Sequence, residues 1–459
     1  MRNNNYMRRT TMKKSNVDML SGSISKGLLA LAVPIMIMNV MQNVFNIIDM
    51  TSLRYFSDDT SVGAVGACGS LITLCTSLLI GLSAGANIAI AKRIGAGDKE
   101  RADKAVMTSI LLSVTGGILL MLIGVTFAKT FLQMTNCPDS LLYRATLYFK
   151  IYFIGIPFLM LYNFLASILR ATGDTKKPMY FLIIGGIIKV LFTIFFLTVF
   201  KLDVAGVALA SIISNLVACT FAFCTLLKST IVNVNFKEIK FDITELKQIL
   251  FVGVPTGLQS AMYSMANVII MSVVNSFGEN ATTGISIANQ FDGILYQIIK
   301  APSFATMPYV AQNIGAKNIK RVKQTIVRAV LITTAFGGFF GSLSAIFSGS
   351  LSSVMSSTPE VIAYSQQKMI IISSTYFICG INEIMGDVLK GIGKPILPTV
   401  ATMIYMCAFR FVWVYLIYPL LPQNLTFLYL VWPTGWILSI ITLLIAYFPA
   451  ISKLQKQMA

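Results

Sequence analysis

The chain is written twice. Ile94-Gly95-Ala96 with Arg101 returns as Ile314-Gly315-Ala316 with Arg321, and Leu169-Arg170 with Gly173 and Pro178 returns as Leu389-Lys390 with Gly393 and Pro398, both at an offset of 220 residues. Pro34 and Pro255 repeat at 221. Apolar stretches lie near 27–54, 62–91, 106–128, 145–168, 179–200 and 205–227, and again near 249–275, 282–311, 328–349, 363–389, 396–418 and 427–450. Each exceeds the roughly 20 residues that cross a hydrocarbon core. Six crossings per copy is an even number, so both copies enter the membrane with the same orientation. The expected fold class is an all-α integral membrane protein, with twelve transmembrane helices in two six-helix lobes related by a pseudo-twofold along the membrane normal. Secondary transporters with a cavity between two halves are built this way. The expected divisions are a basic tail at 1–26, an N-terminal lobe at 27–227, a linker at 228–248, a C-terminal lobe at 249–450 and a tail at 451–459.

Composition agrees with a membrane solvent. With 56% hydrophobic and 12% charged residues and a mean hydropathy of +0.76, the chain cannot clothe an aqueous surface. The net charge of +18 invites a nucleic-acid reading, but position argues against it. Of the 36 Lys and Arg, 27 fall in the two tails and alternate loops, while the opposite loops keep a scattering such as Lys129, Arg144 and Lys201. The positive-inside rule places both termini and the linker in the cytoplasm of a multi-pass cell-membrane protein. The basic residues then serve topology and meet anionic lipid at the cytoplasmic face. No nucleic-acid partner is expected, and the protein is expected to be monomeric.

Residues 1–26 lack the apolar core and small-residue cleavage site of a secretory signal, so the first span is expected to be retained. Seven cysteines without a CxxC pair suggest neither a disulfide framework nor a zinc site. Histidine is absent, which removes a Ser-His-Asp triad and every His-based metal motif. No GxxxxGK[ST] loop is present. Neither an enzyme nor an ATP-driven pump is expected, and no cofactor.

Polarity inside the membrane is the informative remainder. In span one, Asn39, Gln42, Asn43, Asn46 and Asp49 fall within roughly a 120° sector at about 100° per residue. The amides serve either as glue between helices or as cavity lining. Asp49 is harder to assign to packing, because a carboxylate in hydrocarbon costs about 2.5–3.5 kcal/mol and needs a partner or a wet cavity. Span five carries Lys189 near its midpoint. At about 1.5 Å rise per residue, Lys189 lies roughly 16 Å from either end of its helix and Asp49 roughly 8 Å below the outer face, a gap a lysine stem largely closes. The two are therefore expected to pair, either as a coupling device or as a fixed structural ion pair. In the second copy the stripe reads Ser260, Tyr263, Ser264 and Asn267, with apolar Ile270 at the place of Asp49. Span ten adds Glu383, expected within reach of Arg410 of span eleven, and Asp387, expected at the interface. Span eight adds Asp292 and Lys300.

These motifs resemble the multidrug and toxic compound extrusion (MATE) family, within the larger group that includes lipid-linked oligosaccharide flippases. The likeness rests on Pro34 with Phe45-Asn46-Ile47-Ile48-Asp49, Ile94-Gly95-Ala96-Gly97-Asp98 and Leu169-Arg170-Ala171-Thr172-Gly173-Asp174. Val204-Ala205-Gly206-Val207-Ala208 through Ser214-Asn215 and Cys379-Gly380 leading to Leu389-Lys390-Gly391-Ile392-Gly393 complete it, and it covers nearly the whole chain. The resemblance implies twelve helices around a V-shaped cavity and a secondary active multidrug exporter. It would antiport organic, cationic amphipathic compounds against protons or sodium by rocking-type alternating access. Asp49 would be the coupling group, with Asn46, Asn43, Lys189 and Thr193 around it, and no metal other than sodium at Asp49. Many relatives place Asn and Asp where Lys189 and Thr193 stand, and some place a Glu in span seven, where this chain offers Tyr263. The cavity is expected to draw on Asn39, Gln42, Asn163, Gln259, Tyr263, Asn267, Asp292, Glu383 and Arg410. The alternative is a flippase for a lipid-linked or anionic amphipathic substrate, which would use Lys189, Lys300 and Arg410.

Overall fold

In the computed structural model, residues 17–135, 137–234 and 241–458 are described, apart from the side chains of Asp59, Tyr263, Ser264, Met265, Ala266 and Val268. The first copy folds as α1 (Ile24–Phe56), α2 (Asp59–Ala96), α3 (Lys99–Met134), α4 (Asp139–Ile154), α5 (Ile156–Ala171), α6 (Lys176–Thr198) and α7 (Asp203–Leu227). The second folds as α8 (Ile243–Asn275), α9 (Glu279–Gly315), α10 (Ile319–Ile346), α11 (Ser348–Ser353), α12 (Pro359–Ser374), α13 (Tyr376–Gly391), α14 (Ile396–Thr402), α15 (Phe409–Val412), α16 (Leu425–Tyr429) and α17 (Val431–Met458). No strand occurs among the described residues.

Two expected spans, 145–168 and 363–389, are broken helices. α4 and α5 meet at 45°, and α12 and α13 at 48°. The breaks fall at Gly155 and Thr375, 220 residues apart, so the bend belongs to the repeated unit. Gly155 precedes Pro157 at the start of α5, and proline there supplies no amide for the ladder. Thr375 bends its chain by another route: its hydroxyl donates to the carbonyls of Ile371 and Ile372 at 3.1 and 2.9 Å, a competition with backbone bonding that bends helices. Span eleven departs further. Met403–Ala408 and Trp413–Ile417 are π-helical, and α15 is one turn between them.

The junctions also repeat. After α2, Gly97 takes φ +72° and its amide bonds the carbonyl of Ile94, while that of Asp98 bonds Arg93; the Asp98 side chain then caps α3 by accepting from the Arg101 amide. After α9, Lys317 occupies the Gly97 place at φ +55° with the same bonds back to Ile314 and Asn313, and Asn318 caps α10. The left-handed closure is kept even where the second copy has no glycine.

By contact the chain forms two units: Ile37–Val254 with the segment ending at Val17, and Asp18–Met36 with Pro255–Ala459. The divisions lie inside α1 and α8, beside Pro34 and Pro255. The core of the first unit is built from Leu53, Leu79, Phe149, Phe153, Met160 and Phe164. Arg93 ties the end of α2 to Glu245 at the start of α8 at 2.8 Å. The core of the second contains Ile270, Ile299, Trp413, Tyr429 and Trp436. There Arg321 and Asn313 hold the turn before α1 through the carbonyls of Met19, Ser21 and Gly22. Outward faces carry large apolar side chains, with Leu119 58% and Leu191 62% exposed, as lipid contact requires.

Candidate functional site

Phe45 of α1 packs against Gly186 of α6: a Cβ on Gly186 would stand 1.8 Å from the Phe45 ring. That close approach puts the next turns of the two helices side by side, and there Asp49 meets Lys189. The Lys189 ammonium pairs with Asp49 Oδ2. One turn further along α6, the Thr193 hydroxyl donates to Asp49 Oδ1 at 3.5 Å. Only 9% of the Asp49 side chain and 16% of the Lys189 side chain are exposed. The phenols of Tyr148 and Tyr152, on α4, lie within electrostatic reach of the carboxylate. The pairing expected from helix geometry is therefore present, and Thr193 joins it.

The rest of the polar stripe divides. Asn39 is buried, and the Asn43 amide donates to its carbonyl at 3.1 Å. Gln42 and Asn46 are exposed, and among the described residues no hydrogen bond joins either to the pair. Asn163, in the middle of α5, bonds its own helix, its amide donating to the Leu159 carbonyl at 2.9 Å.

The second unit carries its charges on other helices. Arg410, 1% exposed, donates to Asn267 at 2.7 Å and lies over the Trp432 ring at 5.2 Å. The repeat offset of 221 relates Arg410 to Lys189 and Asn267 to Asn46, so a cation of span eleven reaches span seven much as Lys189 reaches span one. Gln259 donates to Thr402 at 2.9 Å. The side chain of Tyr263 is outside the described residues. Glu383 does not reach Arg410, contrary to the expectation. It pairs with Lys300 of α9 at 3.6 Å and accepts from Tyr296 at 3.1 Å, because α13 packs on α9. Asp387 is a buried partner of Lys390 at 2.9 Å and of Ser303 at 2.7 Å.

Asp292 has a partner the sequence reading missed. Lys368 of α12, whose side chain is 4% exposed, sits 2.9 Å from its Oδ2. It bonds Asn289 as well and lies over Trp432 at 5.7 Å. The signal was available: Ser365-Gln366-Gln367-Lys368 is a polar run inside an apolar stretch.

Outside the membrane-spanning parts, Asp58 caps α2 through the Ser61 amide at 2.8 Å and takes Arg144 at 2.7 Å. The Arg144 guanidinium and the hydroxyls of Thr60 and Ser61 hold its carboxyl well below the usual carboxylate range. Among the described residues no group of three His, Cys, Asp or Glu gathers as metal ligands.

The family model MatE matches residues 34–195 and again 255–416, so the family pattern occurs twice at the spacing of the repeat. The chain belongs to the MatE family. It is similar to the probable multidrug resistance protein YoeA of Bacillus subtilis, with 27% identity over 86% of each chain. It also resembles an FAD transporter of Shewanella oneidensis, at 23% identity over 83% of this chain and 85% of the other. A solved outward-facing structure of a multidrug resistance MATE family transporter superposes with a TM-score of 0.89 at 20% identity, covering 97% of this chain and all of that one. The MatE fold, all-α with twelve helices in two lobes, is thus the class expected from the duplication.

Proposed function

We propose that this MatE protein is a secondary active multidrug exporter that antiports organic, cationic amphipathic compounds against protons or sodium by alternating access. It would lie in the cell membrane as a monomer with both termini cytoplasmic and its basic loops on anionic lipid. The observation that carries the reading is the buried site of Asp49, Lys189 and Thr193 in the first unit. A carboxylate whose charge is balanced by a movable ammonium is a device whose state changes when a proton or cation arrives. A ligand that prefers one arrangement shifts the equilibrium by its differential affinity alone, and linkage passes that shift to the drug. The naming of relatives such as YoeA as multidrug resistance proteins supports the same reading.

Efflux of a fluorescent cationic dye from proteoliposomes, under an imposed proton gradient and then a sodium gradient, tests it with wild type and Asp49→Asn. Gradient-driven movement lost in the variant is the expected result and names the ion. An unaffected variant removes Asp49 from the coupling role. A second reading, export or flipping of anionic amphiphiles, is favoured by Lys300, Lys368 and Arg410 in the second unit and by the FAD transporter among the relatives. Movement of an anionic dye in place of the cationic one in the same assay would select it.

A further inference from the structure

Tyr296, Lys300 and Phe304 of α9 follow one another at four-residue spacing, which puts them on one face of the helix. There they meet Glu383 of α13. The Lys300 ammonium lies 5.0 Å from the centroid of the Tyr296 ring and 5.4 Å from that of Phe304. It donates to the Tyr296 hydroxyl at 2.9 Å, which donates in turn to Glu383 Oε1 at 3.1 Å. Glu383 Oε2 stands 3.6 Å from the ammonium, beyond hydrogen-bond length. The other ion pairs of the second unit among the described residues, Asp292 with Lys368 and Asp387 with Lys390, close to 2.9 Å. Lys300 is also the most open of these three lysines, with 20% of its side chain exposed against 4% and 7%. The fold does not need the group: at the offset of 220 the first unit holds Thr76, Ile80, Ala84 and Asn163 in its place, and α2 packs on α5 all the same.

We propose that Glu383, Tyr296 and Phe304 form a binding site for the charged head of an organic cation, and that Lys300 is a tethered ammonium that fills this site until a substrate displaces it. Two aromatic rings within about 6 Å attract a cation by their quadrupoles. The carboxylate adds its charge, and the hydroxyl of Tyr296 is held in place by Glu383 whether or not the ammonium is there. The pair is loose, so little is lost when Lys300 leaves, and its flexible four-carbon stem gives the ammonium room to swing out on its exposed side. A metal ion fits poorly, because only one carboxylate is offered and the rest of the lining is aromatic. An anion would face the Glu383 carboxylate.

Lys300 is then a specificity-determining residue. A site occupied part of the time by its own cation binds every competitor more weakly by the fraction of time it stands open. A small hydrophilic cation offers no more than the ammonium it must replace. A cation with an apolar body buries further surface and prevails, so the tethered lysine selects for amphipathic cations over simple ones.

The proposal rests on the reading of the chain as an exporter of organic cations, but its test needs no gradient. Binding of radiolabelled tetraethylammonium, whose charge cannot titrate, is measured by equilibrium dialysis on the purified, folded protein. The Asp49→Asn background removes the carboxylate of the first unit. Lys300→Met is expected to tighten binding roughly fivefold, as for a site that its own ammonium leaves open about a fifth of the time. Adding Phe304→Leu or Glu383→Gln to Lys300→Met is expected to abolish the gain. Unchanged or weaker binding in Lys300→Met, the result an anion-binding role for Lys300 predicts, overturns the proposal. So does a gain that survives Phe304→Leu, which would be the field effect of a lost charge and not the opening of a site. Should Lys300→Met fail to fold, Glu383→Gln and Phe304→Leu alone decide: each weakens binding, and unchanged binding in either overturns the site. Failure of dye efflux with this binding pattern intact would count against the exporter reading and not against the site.

Discussion

Asp58 shows how a single carboxylate ties together three parts of one unit. It caps α2, accepts from Thr60 and Ser61, and holds Arg144, which also reaches Asp203 at 3.5 Å. Its folded-state pKa is depressed, so the stability it contributes is fully present above the ordinary carboxylate value of about 4 and is lost as pH falls through the depressed value. The melting temperatures of wild type and Asp58→Asn are therefore expected to differ at neutral pH and to converge on acidification; a gap that widens in acid would refute the assignment. Deeper in the membrane, Lys189→Met leaves the Asp49 carboxylate without its cation, and breaking a buried pair on one side costs about 3–5 kcal/mol. The double variant with Asp49→Asn is expected to recover much of that loss in a thermal-melting cycle. The sequence made this pair legible because an acid and a base in hydrocarbon must find partners, and rise per residue placed them at compatible depth. The same argument did not find Lys368, whose level on α12 depends on the bend at Thr375, and it gave Glu383 the wrong partner because both Lys300 and Arg410 were at plausible depth.

At the scale of elements, hydrophobic length and the double pattern were enough to count the spans, but not to shape them. Length says nothing of a 45° or 48° break, and the π-helical turns around Arg410 have no compositional signature; such turns recur where a helix serves function. The approach of α1 to α6 is set by Gly186 under Phe45, and that contact fixes the register between Asp49 and Lys189. Gly186→Ala is expected to destabilise by about 1–3 kcal/mol, the usual cost of overpacking, and to reduce dye efflux. Phe45→Leu in the same chain should restore part of both. Unchanged melting of Gly186→Ala would mean that the helices separate easily, and the register would need another explanation.

Across the whole molecule the duplication is closer in its junctions, bends and prolines than in its charges, span eleven being the main departure in backbone. Junctions, bends and prolines repeat at 220 or 221 residues, whereas the first unit keeps its acid on span one and the second keeps Asp292 on span eight. Ile270, the counterpart of Asp49, is buried in an apolar core, yet Arg410 stands at the counterpart of Lys189. Ile270→Asp is therefore expected to fold in the presence of Arg410 and to fail, or melt far lower, when combined with Arg410→Met. Equal loss in both backgrounds would show that the two units do not share this geometry.

The unit that holds Asp292 is discontinuous in sequence, since Asp18–Met36 belongs with Pro255–Ala459. At about 5–20 residues per second, a ribosome needs roughly ten to forty seconds to travel from Met36 to Pro255. Throughout that interval the opening turn of the chain has been made but Asn313 and Arg321, which hold its carbonyls, do not yet exist. Biogenesis must therefore keep the first half-helix in waiting until the second copy has supplied Asn313 and Arg321.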